Sequence, residues 1–182
     1  MADKTFTGGE KLEARLAAMA RKVKNPGTLK VGFFENATYP DGTFVAMVAA
    51  IQEFGAPSIG VPPRSYFRPM IKSKARGWGT AIALNLKATD YDATRTLGLV
   101  GKGIAEQLKQ SIIDVNSPKL SPVTLMLRKM RSTGGPNYVM SRRKVWEAIR
   151  RVRAGESYSG VSTKPLDDTG LMLRKVDSKV ET

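Results

Sequence analysis

The side chains of this 182-residue chain that could perform chemistry are mainly carboxylates. Asp167 and Asp168 are adjacent, and neighbouring carboxylates can hold a hard divalent cation of the kind that a metal-dependent nuclease uses. Glu53 and Asp114 are the other acidic candidates, but they are scattered along the chain, and no lysine is spaced from them in an active-site pattern. We therefore expect no metal site and no catalytic residue. Asp168 or Thr169 is better interpreted as a turn residue that bonds its own backbone.

The residue types that are missing exclude most other catalytic arrangements. The sequence contains no histidine and no cysteine, so it lacks the commonest general base, the commonest metal ligand and every Ser-His or Cys-His pair. The absence of cysteine also excludes disulfides and fits a reducing compartment. We expect a protein that is not an enzyme and that needs no cofactor.

Positive charge is the strongest chemical signal in the chain. Lysine and arginine number 30 against 16 acidic residues, and the formal net charge of +14 predicts an anionic partner or surrounding. Nine of the basic residues, with one acidic residue, lie between residues 128 and 153, where 141–153 should form a basic helix. The candidates for contact with DNA or with an acidic partner are Arg142, Arg143, Lys144, Arg150 and Arg151. A solvated arm without a partner is the open alternative.

The stretch from Phe44 to Pro69 organises the first half of the chain. Residues 44–54 are apolar at most positions and predict a helix that Thr43 caps and Gly55 ends. Because this helix is apolar nearly all round, it should lie in a core or against another subunit. Prolines at 57, 62 and 63 then predict a stiff extended segment, residues 56–69, which we call the proline strap.

Glu53 is the one charged residue of that predicted helix. It has no second carboxylate at a close spacing, so we expect an ion pair with Arg64, Arg68 or a neighbouring chain rather than a catalytic acid. The predicted subunit-interface residues are Glu53, Phe54, Arg64, Phe67 and Arg68.

Periodicity predicts the remaining elements. Leu12, Leu16, Met19 and Val23 share one face of a first helix, which Thr7 and Glu10 could cap. The elements predicted next are, in order, a strand over 29–33, a turn over 39–42, a helix from Met70, a break over 89–92, a helix over 92–113 and a helix that Ser121-Pro122 opens. Glycines 98, 101 and 103 within the long helix predict close packing of another backbone.

The order of the motifs along the chain is more specific than any one of them. They are the first helix, Leu29-Lys30-Val31-Gly32-Phe33, Tyr39-Pro40-Asp41-Gly42-Thr43, Val45-Ala46 leading to Glu53-Phe54-Gly55, Pro62-Pro63-Arg64 with Phe67, Leu120-Ser121-Pro122-Val123-Thr124, and Pro165-Leu166 with Asp168-Thr169-Gly170. This order resembles a family of tailed-bacteriophage virion morphogenesis proteins, the small neck, tail-completion or minor tail proteins at the head-tail junction. The resemblance covers most of residues 8–127 and 164–180.

The resemblance implies an α+β subunit, with several helices packed on a small antiparallel sheet and no catalytic activity. It implies a hexameric ring of copies at the head-proximal end of the tail, in contact with neighbouring tail or connector proteins. Genome DNA in the channel is a further candidate partner, and the implied location is the virion after synthesis in the host cytoplasm. A non-virion basic protein that binds DNA or RNA non-specifically is the alternative.

The chain also departs from the family pattern. Ser65 stands where members often carry proline, and Asp167 stands where an apolar residue is common. We expect one α+β domain, residues 1–127 with 164–182, and a basic insert or arm over 128–163 that is disordered or variable in the isolated subunit. The N-terminus has no hydrophobic region of signal-peptide length, and no apolar run reaches the ~20 residues that span a bilayer, so we expect a soluble protein without a membrane partner.

Overall fold

The structure, a computed structural model, describes residues 9–24, 26–135 and 138–181. Within these residues seven α-helices and a two-stranded antiparallel sheet make an α+β fold, as the sequence predicted. In chain order the elements are α1 (Gly9–Val23), β1 (Thr28–Phe33), α2 (Val45–Phe54), a 3₁₀ helix (Pro57–Ile59), α3 (Phe67–Ala88), α4 (Ala93–Asp114), α5 (Pro122–Thr133), α6 (Arg142–Arg153), α7 (Leu171–Arg174) and β2 (Val176–Glu181). None of the described helices is long and apolar enough to cross a membrane.

The chain divides into two compact units whose segments alternate in sequence. The first unit comprises residues 1–32, 70–107 and 177–182, and the second comprises residues 33–69 and 108–176. Residues 128–163, expected to be an insert or arm outside a single domain, belong to the second unit.

In the first unit, α4 packs against the β1–β2 sheet at Gly101. A Cβ atom at Gly101 would lie 2.5 Å from Leu29 Cδ1 and 3.0 Å from Ser178 Cβ, so a larger residue there would require both neighbouring side chains to shift. Close packing therefore occurs at Gly101, but the prediction of a backbone contact is wrong there, because side chains make the contact. The same prediction is wrong for Gly98 and Gly103, where an added Cβ would meet open space.

The turn between α3 and α4 is built from residues that bond their own backbone. Asp92 Oδ1 accepts from Arg95 N at 2.9 Å, which confirms the predicted break and cap. Asp90 and Tyr91 take positive φ values of 51° and 64°, and the Thr89 and Thr96 hydroxyls are 2.7 Å apart. These contacts reverse the chain between two helices of 22 residues each.

Helix α1 forms as predicted but buries none of its side chains. Met19 is half-buried. The predicted cap at Thr7 lies outside the described residues. The exposed apolar side chains of α1 are Leu12, Leu16 and Val23.

In the second unit, α2 follows the predicted turn over residues 39–42. Gly42 N donates to Tyr39 O at 3.0 Å, and Asp41 Oδ1 accepts from Thr43 N at 3.0 Å. The predicted Thr43 cap is wrong, because the N-cap residue of α2 is Phe44 and no side chain caps the helix.

Gly55 ends α2, as predicted, with a φ of 77°. A Cβ atom there would lie 2.8 Å from Pro63 N, so glycine is required both for its backbone conformation and for the close return of the proline strap. The prediction that this strap is extended throughout is wrong, because Pro57–Ile59 form a 3₁₀ helix and residues 67–69 belong to α3.

Helices α5 and α6 pack against each other around a small buried core. Ser121 caps α5 by accepting from Thr124 N, with Pro122 in the first turn, as predicted. This packing gives α6 a defined position on α5. The expected disorder of the basic segment in the isolated subunit stays a prediction. The buried core residues are Met126, Met130 and Ala148, with Val123, Leu127, Tyr138 and Val152 packed against them.

Candidate interaction sites

Glu53 is a buried charged residue. Its charge is stabilised because its carboxylate caps the start of α3. Oε2 accepts from Tyr66 N at 2.8 Å and from Phe67 N at 2.9 Å, while Oε1 accepts from Arg68 N at 3.3 Å. Oε1 also pairs with Arg68 Nε at 2.9 Å, which confirms the Arg68 alternative of the predicted ion pair. The first amides of a helix have no partner within the helix and carry partial positive charge, so a carboxylate suits this position.

The hydrogen bonds to Glu53 determine its ionisation. Burial raises the pKa of the Glu53 carboxyl, but hydrogen bonds from the Phe67 amide, the Arg68 side chain and the Tyr66 amide together lower it more, and its pKa lies below the usual value. Glu53 is therefore an ionised acceptor at neutral pH, whereas a general acid needs a raised pKa.

Further hydrogen bonds fix the proline strap to α2. Ser65 Oγ donates to Glu53 O at 3.1 Å, and Tyr66 Oη donates to Ala49 O at 3.1 Å. Ser111 Oγ donates in turn to Tyr66 O at 2.6 Å. Ser65 thus supplies a link that a proline could not make.

Opposite its buried side, α2 carries an exposed apolar face. Val45, Ala49 and Glu53 are buried at spacings of four, whereas the opposite face follows the spacing i, i+3, i+4, i+7. The side chains of Met47 and Phe54 are 51% and 64% exposed, too much for a packed core. We call Met47, Ala50, Ile51 and Phe54 the α2 face.

The structure places the predicted interface residues in different environments. Phe54 lies on the α2 face with the Arg68 guanidinium 5.0 Å from its ring centroid, a cation–π contact. Phe67 is half-buried and meets the Tyr66 ring edge-on, with the ring centroids 6.4 Å apart. Arg64 differs from both, because it is only 7% exposed and so lies inside the second unit.

Arg64 does not pair with Glu53, the first alternative that the sequence suggested. Its Nε donates to Pro118 O at 3.0 Å and its Nη1 donates to Gln52 Oε1 at 3.3 Å. Both acceptors are neutral, so the charge of Arg64 is not balanced by these bonds.

The five predicted basic contact residues on α6 fall into two groups. Lys144 and Arg151 pair with Glu147 at 3.3 Å and 2.6 Å, so their charge is partly neutralised. Arg142, Arg143 and Arg150 are exposed, and within the described residues they form no ion pair.

Trp146 is a candidate that the sequence analysis missed. It is 66% exposed, and Arg142 and Arg150 lie four residues before and after it on the same side of the helix. Arg143 and Arg153, three before and seven after it, flank the same exposed side. A large exposed aromatic among arginines on a helix of period 3.6 was a readable signal. We call these five residues the Trp146 face.

The acidic residues considered for metal binding do not converge. Asp168 pairs with Arg128 Nε at 3.4 Å and with Arg131, and Asp114 Oδ1 accepts from Gln110 at 2.8 Å. In the described part of the chain no three acidic side chains come together to hold a metal ion. Thr169 Oγ1 accepts from Leu171 N, which confirms the predicted turn bond at Thr169.

Comparison of the chain with protein-family models, with curated proteins and with solved structures found no match.

Proposed function

We propose that the chain is a structural subunit of a phage neck or tail end, which assembles as a ring at the head-tail junction and joins or completes the tail. The observation that carries the proposal is the α2 face, an apolar surface that the isolated chain leaves exposed. The order of motifs that resembles the phage family supports the same assignment. Because the α2 face lies within the stretch that carries much of that resemblance, the two arguments concern the same part of the molecule.

The α2 face suits a subunit interface because it is held rigidly. Glu53 and Tyr66 fasten α2 to the proline strap and to the start of α3, so little conformational entropy is lost when the face is covered. Burying a phenylalanine or methionine side chain contributes about 1.5–3 kcal/mol each. A patch that meets a different surface on the next copy generates a closed ring when the rotation closes.

The net charge is consistent with a ring that surrounds or meets an anionic partner. Each chain carries +14, and copies around a channel would add their fields. DNA in the channel or the acidic surface of a neighbouring ring would balance this charge. Cross-linking and mass measurement of purified particles of the encoding phage test the location. Detection at the head-tail junction supports the proposal, and absence of the chain from complete particles overturns it.

We expect the substitution Phe54→Glu to abolish self-association. It places a carboxylate at the centre of an interface that excludes water, and the cost of burying that charge opposes assembly. Sedimentation velocity of the purified chain measures the effect as loss of the oligomer.

The matched control for that experiment is Leu84→Glu. Leu84 is also 64% exposed, but it lies on α3 away from the α2 face in sequence. The control should assemble like the unchanged protein, while Phe54→Glu should remain monomeric with an unchanged circular dichroism spectrum. Equal assembly of both variants would contradict a role for the α2 face.

The Trp146 face favours a second candidate function, non-specific binding of DNA or RNA by a protein outside the virion. Arginines bind phosphates through charge, and an exposed tryptophan can stack on an unpaired base. The four arginines of this face surround the indole on one side of α6, which is the arrangement that a nucleic-acid strand could follow.

We expect the double substitution Arg142→Glu/Arg143→Glu to weaken nucleic-acid binding and to make it less dependent on salt. The loss of two phosphate contacts should reduce the slope of log affinity against log salt concentration by about 2. Fluorescence anisotropy with a labelled oligonucleotide at several salt concentrations measures this slope.

The control for this prediction is Lys72→Glu/Lys74→Glu, which makes the same charge change at exposed positions of α3. It should leave the slope nearly unchanged. If the two double variants lose affinity equally, total charge rather than the Trp146 face governs binding. Strong binding by a chain that never joins particles would favour the second function over the first.

A further inference from the structure

The second unit contains a pocket of about 430 Å³ whose charged lining is unbalanced. Four basic side chains and one carboxylate line it, a formal excess of three positive charges. The charged lining residues are Arg64, Lys119, Arg128, Arg131 and Asp168. Like charges gathered in one pocket repel each other, so an anion that enters it relieves the repulsion.

Two of these arginines are buried, which makes the pocket a formed feature rather than a set of mobile surface side chains. Arg64 is 7% exposed and Arg128 is 8% exposed. Burial lowers the pKa of Arg64. Burial also lowers the pKa of Arg128, and the charges of Arg131 and Arg64 lower it further against the opposing effects of Asp168 and Asp167. The positive charges of Arg64 and Arg131 therefore repel that of Arg128, and no bulk water fully screens this repulsion because Arg64 and Arg128 are buried.

The guanidinium of Arg128 is hydrogen-bonded to backbone carbonyls of the segment that forms one side of the pocket. Its Nη1 donates to Ser162 O at 2.6 Å and to Lys164 O at 2.8 Å, and its Nη2 donates to Pro165 O at 3.3 Å. These bonds fix the segment that carries Asp168. Arg128 thus contributes charge to the pocket but has few donors left for a ligand.

Arg64 retains donor capacity. Its hydrogen bonds use Nε and Nη1, and among the described residues its Nη2 donates to no protein acceptor. Both of its acceptors are neutral, so no carboxylate balances it directly. A guanidinium held by two hydrogen bonds is pre-oriented to receive an oxyanion on its remaining donor.

The start of α5 contributes to the same pocket. Ser121, the N-cap residue, and Thr124 in the first turn both line it, next to Lys119. The N-terminal end of a helix carries partial positive charge, which favours an anion.

We propose that this pocket binds a small oxyanion, a phosphate or carboxylate group, through Arg64 and through Lys119 at the start of α5. The group is either a free ion or an acidic side chain presented by a partner protein, and both offer oxygen acceptors to the same donors. Apolar residues beside the charges, including Val61, Leu120 and Leu127, leave room for the carbon atoms of an acidic side chain. The binding is a property of one chain and does not depend on ring assembly.

Isothermal titration calorimetry of the full chain with inorganic phosphate, in chloride buffer of matched ionic strength, tests the proposal. We expect one saturable site per chain. Arg64→Lys keeps the charge but removes the planar fork, and Lys119→Gln removes an exposed charge without disturbing the core. Each should weaken binding by about tenfold, which is the loss of one charge-assisted hydrogen bond.

The control is Arg142→Gln, which removes one exposed charge on α6 and should leave phosphate affinity unchanged. A second titration uses a peptide with blocked ends and a single aspartate. If the peptide competes with phosphate, the source is a partner's carboxylate, and if only phosphate binds, the source is a free ion. Absence of saturable binding by either probe, or equal weakening by Arg142→Gln, overturns the proposal whatever the outcome of the assembly experiments.

Discussion

Replacement of Glu53 by glutamine is expected to lower the free energy of unfolding by about 2–4 kcal/mol, because hydrogen bonds to a buried charged acceptor are strong and costly to break. The carboxylate accepts from three backbone amides, those of Tyr66, Phe67 and Arg68. A glutamine side chain offers one oxygen and turns its NH₂ group toward donors, so some of these amides lose their acceptor. Urea denaturation followed by circular dichroism measures the difference.

The matched control is Arg68→Gln, which removes the other partner of the ion pair. The Arg68 side chain is 61% exposed, so solvent screens its charge and we expect a cost below about 1 kcal/mol. Glu35→Gln, a change of the same chemistry at an exposed residue, should be nearly neutral. If Glu53→Gln costs no more than Arg68→Gln, the capping of α3 by Glu53 does not contribute as described.

The same carboxylate should make stability depend on pH. Because the pKa of Glu53 is lowered in the folded chain, its contribution is fully present above the ordinary value of 4.5 and is lost as the pH falls through the folded pKa. The difference in unfolding free energy between the unchanged protein and Glu53→Gln should therefore be constant near neutral pH and shrink in acid. A difference that grows as the pH falls would contradict the lowered pKa.

Substitution of Arg128 by methionine should cost about 3–5 kcal/mol, since it removes a buried guanidinium to which several backbone carbonyls and Asp168 are bonded. Ser162 O, Lys164 O and Pro165 O would each lose a donor, and Asp168 would lose one of its two arginine partners. Thermal unfolding followed by differential scanning calorimetry measures the loss as a lower midpoint.

Arg128→Lys should recover little of that stability. An ammonium group is a compact charge and cannot reproduce the planar set of donors that spans several carbonyls. Arg150→Met is the control, because Arg150 is an exposed arginine of α6. Full recovery by lysine, or an equal cost for Arg150→Met, would show that charge alone matters at residue 128.

The local pattern of the sequence predicted most of the secondary structure. Alternating apolar residues predicted β1, and Ser121-Pro122 predicted the start of α5. The turn before α2 and the glycine that ends it were also predicted from residues whose backbone preferences are strong. These features depend on neighbours within a few positions, which is why a single sequence reveals them.

Burial was predicted less well, because it depends on residues that are distant in the sequence. Periodicity placed Leu12 and Leu16 on one apolar face of α1 but did not show that both side chains are exposed. Arg128 was counted only as one of the nine basic residues between 128 and 153, whereas the structure buries it and bonds it to residues more than 30 positions away. Periodicity shows that a helix has two faces but does not show what covers them.

Composition and spacing alone determined that the chain has no histidine or thiol chemistry and carries a large positive charge, and they predicted several helices and a strand over 29–33. Only the tertiary structure determined which arginines are buried, which are exposed and which groups they bind. Arg68 pairs with the carboxylate that caps α3, and Arg128 is buried and holds the 162–168 segment. Arg64 lines the charged pocket, and the arginines of the Trp146 face are exposed on α6. The physical reason is that the role of an arginine is set by the acceptors and the dielectric constant around its guanidinium, and both arise from chain segments that meet only on folding.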